Sequence, residues 1–295
     1  MMIFATTHAK GLAKEVAKAL GMTLGKRERT VFPDKEKRIR ILEKVLDQNV
    51  VIIGGTGKTP DSFYMELFFL MDAVKRAGAK RVDLVIPYLS YQRQDHLFRE
   101  GEAVSLDVIV KTLEVMDASK IITFDLHSIK IPEEFKIPIT HLSALPLFSE
   151  EIKKIGVSNS VLVSPDKGGI RRIKLLSEML GGLPFVSIEK NRDLATGEVV
   201  STRIDGELSE KAFIVDDMIS TGSTIQASID LLLQEGAKEV YVMATHPVLS
   251  KDAQILLQKS KAKKIIVTNS LEVPEEKMFE KLKIISLAPL IAKEL

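Results

Sequence analysis

A chain of 295 residues, 45% apolar and 28% charged, is long enough for two ordinary domains or one large one and has the make-up of a globular protein with a substantial core. Its 42 Lys and Arg against 40 Asp and Glu leave a charge of +2, which gives no support to a nucleic-acid binder, and the basic clusters at 35–40 and 259–264 read as solvated faces. The absence of cysteine excludes disulfides and thiolate chemistry; with no signal-like start and no stretch near the roughly 18 apolar residues of a membrane span, a cytoplasmic protein without membrane contact is expected.

In chain order, β-branched runs predict strands at 49–53, 81–87, 120–124, 160–164, 184–188, 199–203, 212–215, 239–245 and 264–268. Amphipathic patterns predict helices at 62–76, 105–116, 169–180 and 221–235. This alternation indicates an α/β fold on mostly parallel sheets, and runs such as VVII and VLV lack the polar face that an exposed strand would show.

After the first of these strands comes IIGGTGKT, Ile52 to Thr59. It ends like a P-loop, but the glycine that motif requires five residues before Gly57 is Ile52, so the spacing fails. The stretch reads instead as a strand-to-helix turn.

The chain also repeats itself. MDAVKRAGAKRVDLVIP from Met71 aligns with IDLLLQEGAKEVYVMAT from Ile229 at an offset of 229 − 71 = 158, and ASKIITFD from Ala118 aligns with AKKIIVTN from Ala262 at 262 − 118 = 144. Two matched helix–strand segments in the same order favour duplication, with two similar α/β domains meeting near 140–150. The 158 − 144 = 14 extra residues of the first copy fall in or near YLSYQRQDHLFREGEAVS, 88–105, beyond the carboxyl end of a strand, where open α/β sheets place ligands. A solvated loop would look similar.

AFIVDDMISTGSTIQASIDLLL, from Ala212, supplies the phosphate site that GGTGKT does not. A strand ends in Asp216 and Asp217, and Ser220, Thr221, Gly222, Ser223 and Thr224 open a helix. Small residues at a helix start bring N–H groups and a partial positive charge to an anion. The aspartates repel phosphate but can accept hydrogen bonds from neighbouring hydroxyls, so the pattern suits a sugar phosphate. The bland alternative is a plain helix cap.

VDDMISTGSTI resembles the phosphoribosyl-pyrophosphate motif shared by type I phosphoribosyltransferases and ribose-phosphate pyrophosphokinases. PYLSYQRQDHLF (87–98) is similar to the ATP-binding segment of the pyrophosphokinases, and FPDKE (32–36) to their adenine loop. TFDLHS (123–128), VSPDKGGIRR (163–172) and EKNRD (189–193) follow in the order of that family's metal, pyrophosphate and catalytic segments. The sequence is thus identified as a member of that family over nearly its whole length. The resemblance implies two tandem type I phosphoribosyltransferase-like domains, 1–142 with the ATP-binding segments and 143–295 with the sugar loop and flap. It implies transfer of the β,γ-diphosphoryl group of ATP to the 1-hydroxyl of ribose 5-phosphate, giving phosphoribosyl pyrophosphate and AMP for nucleotide synthesis.

By the same resemblance, Arg93 and Gln94 contact ATP. Phe32, Asp34, Lys35 and Glu36 bind the nucleotide of a neighbouring subunit in a homo-oligomer; a core aromatic is the alternative for Phe32. Asp95 is expected to orient the arginine. Asp166, Lys167, Gly168 and Gly169 form the pyrophosphate loop, and His127, Asp166 and Asp125 bind Mg2+. Lys190 and Arg192 are the catalytic cations, on a polar flap that an ordinary exposed hairpin would match; Arg192 also meets the sugar phosphate. His96 stands where the family more often has Lys or Arg, and Ser220 where many members have Asp. Two rivals remain open: a phosphoribosyltransferase that loads a base, and a non-catalytic regulator, which should have lost Lys190, Arg192 or His127.

Overall fold

Strands without a polar face need cover on both sides, and helices between parallel strands supply it. The computed structural model describes residues 1–57, 59–192 and 199–295; the side chains of 190–192 and 199–202 lie outside that description. The chain divides into two units, one of residues 1–142, 270–272 and 286–295 and the other of 143–269 and 273–285.

The first unit opens with β1 (Met2–Ala5), α1 (Lys10–Ala19), β2 (Arg27–Val31), β3 (Lys37–Ile41), β4 (Asn49–Ile53) and α2 (Pro60–Arg76). It continues with β5 (Arg81–Val85), α3 (Ser105–Val115), β6 (Lys120–Phe124) and β7 (Ile139–Leu142). Its parallel sheet runs β1-β4-β5-β6-β7. Phe4, Ile52, Leu84 and Ile121 of the strands pack with Leu67, Leu70 and Leu113 of the helices in one core. β2 and β3 form a separate antiparallel hairpin.

The second unit contains α4 (Leu145–Ile155), β8 (Ser160–Ser164), α5 (Ile170–Met179), β9 (Phe185–Arg192), β10 (Val199–Asp205) and β11 (Lys211–Ile219). Then come α6 (Ser223–Gln234), β12 (Glu239–Pro247), α7 (Ala253–Lys259), β13 (Lys264–Thr268) and β14 (Leu282–Ile285). Its sheet order is β10-β9-β8-β11-β12-β13-β14, parallel except where β10 runs antiparallel to β9. The last helix, α8 (Ala288–Glu294), belongs to the first unit. There it packs on α1, buries Ala288 and Ile291, and pairs Glu294 with Lys120 at 2.5 Å.

The duplication is visible in the topology. β1-β4-β5-β6-β7 and β8-β11-β12-β13-β14 have the same order and the same parallel sense. Gly78 and Gly236 end the matched helices with φ of +86° and +106°, the left-handed geometry that suits a helix stop at glycine. The extra segment, 88–105, lies between β5 and α3, just past the carboxyl end of its strand. No described helix is long and apolar enough to cross a membrane.

Candidate active site

In the second unit, the carboxyl end of β11 carries the acidic pair. The strand runs four residues past the predicted 212–215 because β12 keeps pairing with it: Asp216 lies opposite Ala244 and Met218 opposite His246. Asp217 is buried, and its N–H donates to Asp216 Oδ1 at 2.9 Å. Arg172 of α5 reaches both groups, Nη1 to Asp216 Oδ1 at 3.4 Å and Nη2 to Asp217 Oδ1 at 3.9 Å. Burial, and then the neighbouring Asp217 charge, push the Asp216 carboxyl well above the ordinary carboxylate range, with Arg172 pulling the other way. A carboxyl pair with a proton to share presents both a donor and acceptors, which suits adjacent hydroxyls.

The loop after β11 leads straight into α6. Ser220 is fixed by Ser250, Oγ to Oγ at 3.0 Å and N–H of Ser250 to its carbonyl at 3.0 Å. Gly222, at φ +80°, occupies the cap position and has no side chain to satisfy the first N–H groups of the helix; Thr221 and Ser223 bond to each other at 2.9 Å. A helix start of this kind accepts an anion.

A second loop joins β8 to α5. The Asp166 carboxylate accepts the Gly169 N–H at 3.1 Å, and Ser164 Oγ donates to the Asp166 carbonyl at 2.7 Å. A Cβ on Gly169 would lie 2.4 Å from Ser164 Oγ, so a side chain there would push that hydroxyl from its bond to the Asp166 carbonyl. Lys167 meets Glu189, at the root of the flap, at 2.8 Å. β9 and β10 pair Lys190 with Ser201 and Arg192 with Val199; residues 193–198 of the expected flap lie outside the described residues. The side chains of Lys190 and Arg192 lie outside the described residues.

In the first unit, Arg93 and Gln94 are exposed and line an open pocket of about 530 Å³ with Phe98, Arg99 and Glu102. Asp95 Oδ1 lies 2.6 Å from His96 Nδ1, where the sequence suggested Arg93 as its partner; the His96 ring in turn lies 4.1 Å from that of Phe98. The adjacent ring nitrogen is within reach of the carboxylate, and Arg93 is exposed. Nearby, the 125–127 turn is held through its backbone. Asp125 N–H donates to the Leu142 carbonyl at 3.0 Å, Leu126 N–H to His141 Nε2 at 2.9 Å, and His127 N–H to Gln92 Oε1 at 2.8 Å. His127 is exposed and Asp125 buried.

FPDKE is the tip of the β2–β3 hairpin. Phe32 N–H bonds Glu36 O and Lys35 N–H bonds Phe32 O, both at 2.9 Å, and Asp34 accepts from Glu36 N–H at 3.0 Å. Phe32 is 39% exposed with the Arg38 guanidinium 5.8 Å from its ring centre, so it is not a core aromatic.

GGTGKT follows β4 just as the sugar-phosphate candidate follows its counterpart β11. Here the cradle is filled: a Cβ on Gly57 would sit 2.3 Å from the His8 ring, and one on Gly55 2.8 Å from the His8 carbonyl. His8 is itself tied to Glu272 at 2.6 Å. Among the described residues, no three or more His, Asp or Glu side chains form a metal-holding cluster. Arg172 was not singled out from sequence; its signal was its place in the first turn of the helix that SPDKGG opens.

A family model for the N-terminal domain of ribose phosphate pyrophosphokinase matches residues 1–116, and one for a phosphoribosyl synthetase-associated domain matches 192–295. Proteins named ribose-phosphate pyrophosphokinase from Halalkalibacterium halodurans and Bacillus subtilis are each 37% identical over 293 residues, 99% of this chain and 92% of theirs. One from Corynebacterium ammoniagenes is 38% identical with the same coverage. The crystal structure of phosphoribosylpyrophosphate synthetase from Mycobacterium smegmatis is similar with a TM-score of 0.92 at 33% identity, over 99% of this chain and 96% of that one.

Proposed function

The chain belongs to the ribose-phosphate pyrophosphokinase family, and on that premise we propose how its residues carry out the family reaction. The enzyme transfers the β,γ-diphosphoryl group of ATP to the 1-hydroxyl of ribose 5-phosphate. A bond forms from O1 to the β-phosphorus while that phosphorus loses its bridge to the α-phosphate; AMP leaves with the bridging oxygen and the hydroxyl proton is released. Such transfers are catalysed by alignment and by neutralising phosphate charge, with a divalent cation supplying part of the neutralisation.

The observation that carries the residue assignment is the Asp216–Asp217 pair beside the glycine-capped start of α6. These carboxyls hold the ribose hydroxyls, and Ser220, Thr221, Gly222, Ser223 and Thr224 hold the 5-phosphate. Asp166, Lys167, Gly168 and Gly169 bind the diphosphoryl group. Lys190 and Arg192 meet charge developing on the phosphate oxygens. Residues 1–142 bring Arg93 and Gln94 to the nucleotide phosphates, as arginine's paired donors allow. Phe32, Asp34, Lys35 and Glu36 take the adenine and ribose of ATP in a neighbouring subunit; the exposure of Phe32 supports that role. The divalent ion is Mg2+, with Asp166, His127 and Asp125 as its protein partners. The enzyme works in the cytoplasm as a homo-oligomer.

Incubation with ATP and ribose 5-phosphate, without any base, releases AMP. Lys190→Ala lowers that turnover by orders of magnitude while ribose 5-phosphate still binds. Near-normal turnover in that variant refutes the catalytic assignment.

A further inference from the structure

The Phe32 hairpin is anchored through one buried carboxylate. Glu66 of α2 is 3% exposed and receives donors from three directions. Arg27 of β2 donates to its Oε1 at 2.6 Å, and Arg29 of the same strand lies 3.3 Å from its Oε2. Thr7, in the turn after β1, donates both its N–H and its hydroxyl to Oε1 at 2.8 Å. Arg27 also donates from Nε to the Ala5 carbonyl at 2.7 Å, so its guanidinium bridges the hairpin to both β1 and α2. On β3, Lys37 adds a second attachment one turn earlier on α2, to the Ser62 carbonyl at 3.0 Å and its hydroxyl at 2.6 Å.

We propose that Glu66 is a positioning residue for nucleotide capture: it aims the hairpin that presents Phe32, and so governs the affinity for ATP without touching it. The inference rests on the assignment of Phe32–Glu36 to the adenine. The hairpin is outside the five-stranded sheet; Ile39 and Ile41 of β3 rest on the core, while β2, RERTV, has no apolar residue in that contact. The apolar contact seats β3, and the polar links at the base fix how β2 is held against it. A carboxylate that meets one guanidinium at each oxygen attracts both by charge, and a neutral amide of the same shape cannot. Loss of the charge leaves the buried Arg27 and the partly exposed Arg29 facing a group that has its own N–H donors, which splays the base and swings the tip.

Steady-state kinetics on the intact enzyme test this, with Glu66→Gln, Arg29→Ala and Phe32→Ala in parallel. Glu66→Gln is expected to raise the KM for ATP about tenfold, as a displaced contact worth near 1.4 kcal/mol would, with the KM for ribose 5-phosphate within twofold of wild type. Arg29→Ala, which removes a partly exposed arm, is expected to follow in the same direction by a few fold and decides the matter if Glu66→Gln does not fold. Equal changes in both KM values, or a fall in kcat alone, overturn the proposal in favour of general destabilisation. If Phe32→Ala weakens ATP while Glu66→Gln and Arg29→Ala leave it unchanged, the positioning role alone is wrong. If Phe32→Ala also leaves ATP unchanged, the adenine assignment beneath it falls.

Discussion

Arg172 and Asp216 show how single groups would tune the proposed sugar site. The guanidinium offsets charge on two adjacent carboxyls in a mostly buried place. Removing it leaves the acids to repel, so Arg172→Ala is expected to raise the KM for ribose 5-phosphate at least tenfold and to move the acidic limb of the pH–rate profile upward. An unshifted limb counts against the coupling. Asp216 also leaves a mark on stability. Burial raises its carboxyl in the folded protein, so the folded state keeps a proton that the unfolded chain has lost above about pH 4. This group's contribution therefore falls as pH rises from there through the folded-state value. Melting followed upward from pH 4 should decline more steeply in wild type than in Asp216→Asn; parallel curves contradict the raised carboxyl.

At the level of elements, glycine decides where the phosphate loop can bend. Gly222 sits at φ +80° in the turn before α6. Gly222→Ala is expected to cost about 1 kcal/mol of stability and to weaken ribose 5-phosphate binding about tenfold by shifting the N–H groups; denaturant titration and ligand titration measure the two. The central strands were legible because runs such as NVVII and SVLVS have no polar face. β11 was read as ending at Val215, since two carboxylates do not look like strand interior. Only its parallel partner shows why pairing continues to Ile219. The hairpin strands were invisible for a related reason. RERTV is tied down by Glu66, which lies 39 residues from Arg27 and in no periodic relation to it, and KRIRI by contacts with the core and with Ser62. The strand end with its acidic pair and the glycine-capped start of α6 could be read because they are local in sequence. Arg172 could not, since it lies 44 residues from Asp216.

For the molecule as a whole, turnover should stop when a chelator removes divalent ions and return on adding Mg2+; AMP release that persists in the chelator opposes the metal requirement. The return of α8 to the first unit is equally open to test. Ile291 is fully buried there, and truncating it to Ala is expected to cost about 2–4 kcal/mol. A much smaller loss in denaturant unfolding would show that α8 is dispensable. The same return bears on biosynthesis. The sheet of the first unit is complete once Leu142 has been translated, yet the helix that covers α1 arrives only with residues 286–295. At cellular elongation speeds that delay is on the order of 10 to 30 s. During it the nascent chain carries an uncovered apolar flank on α1, and the half made first stays open on the ribosome until the half made second has emerged behind it.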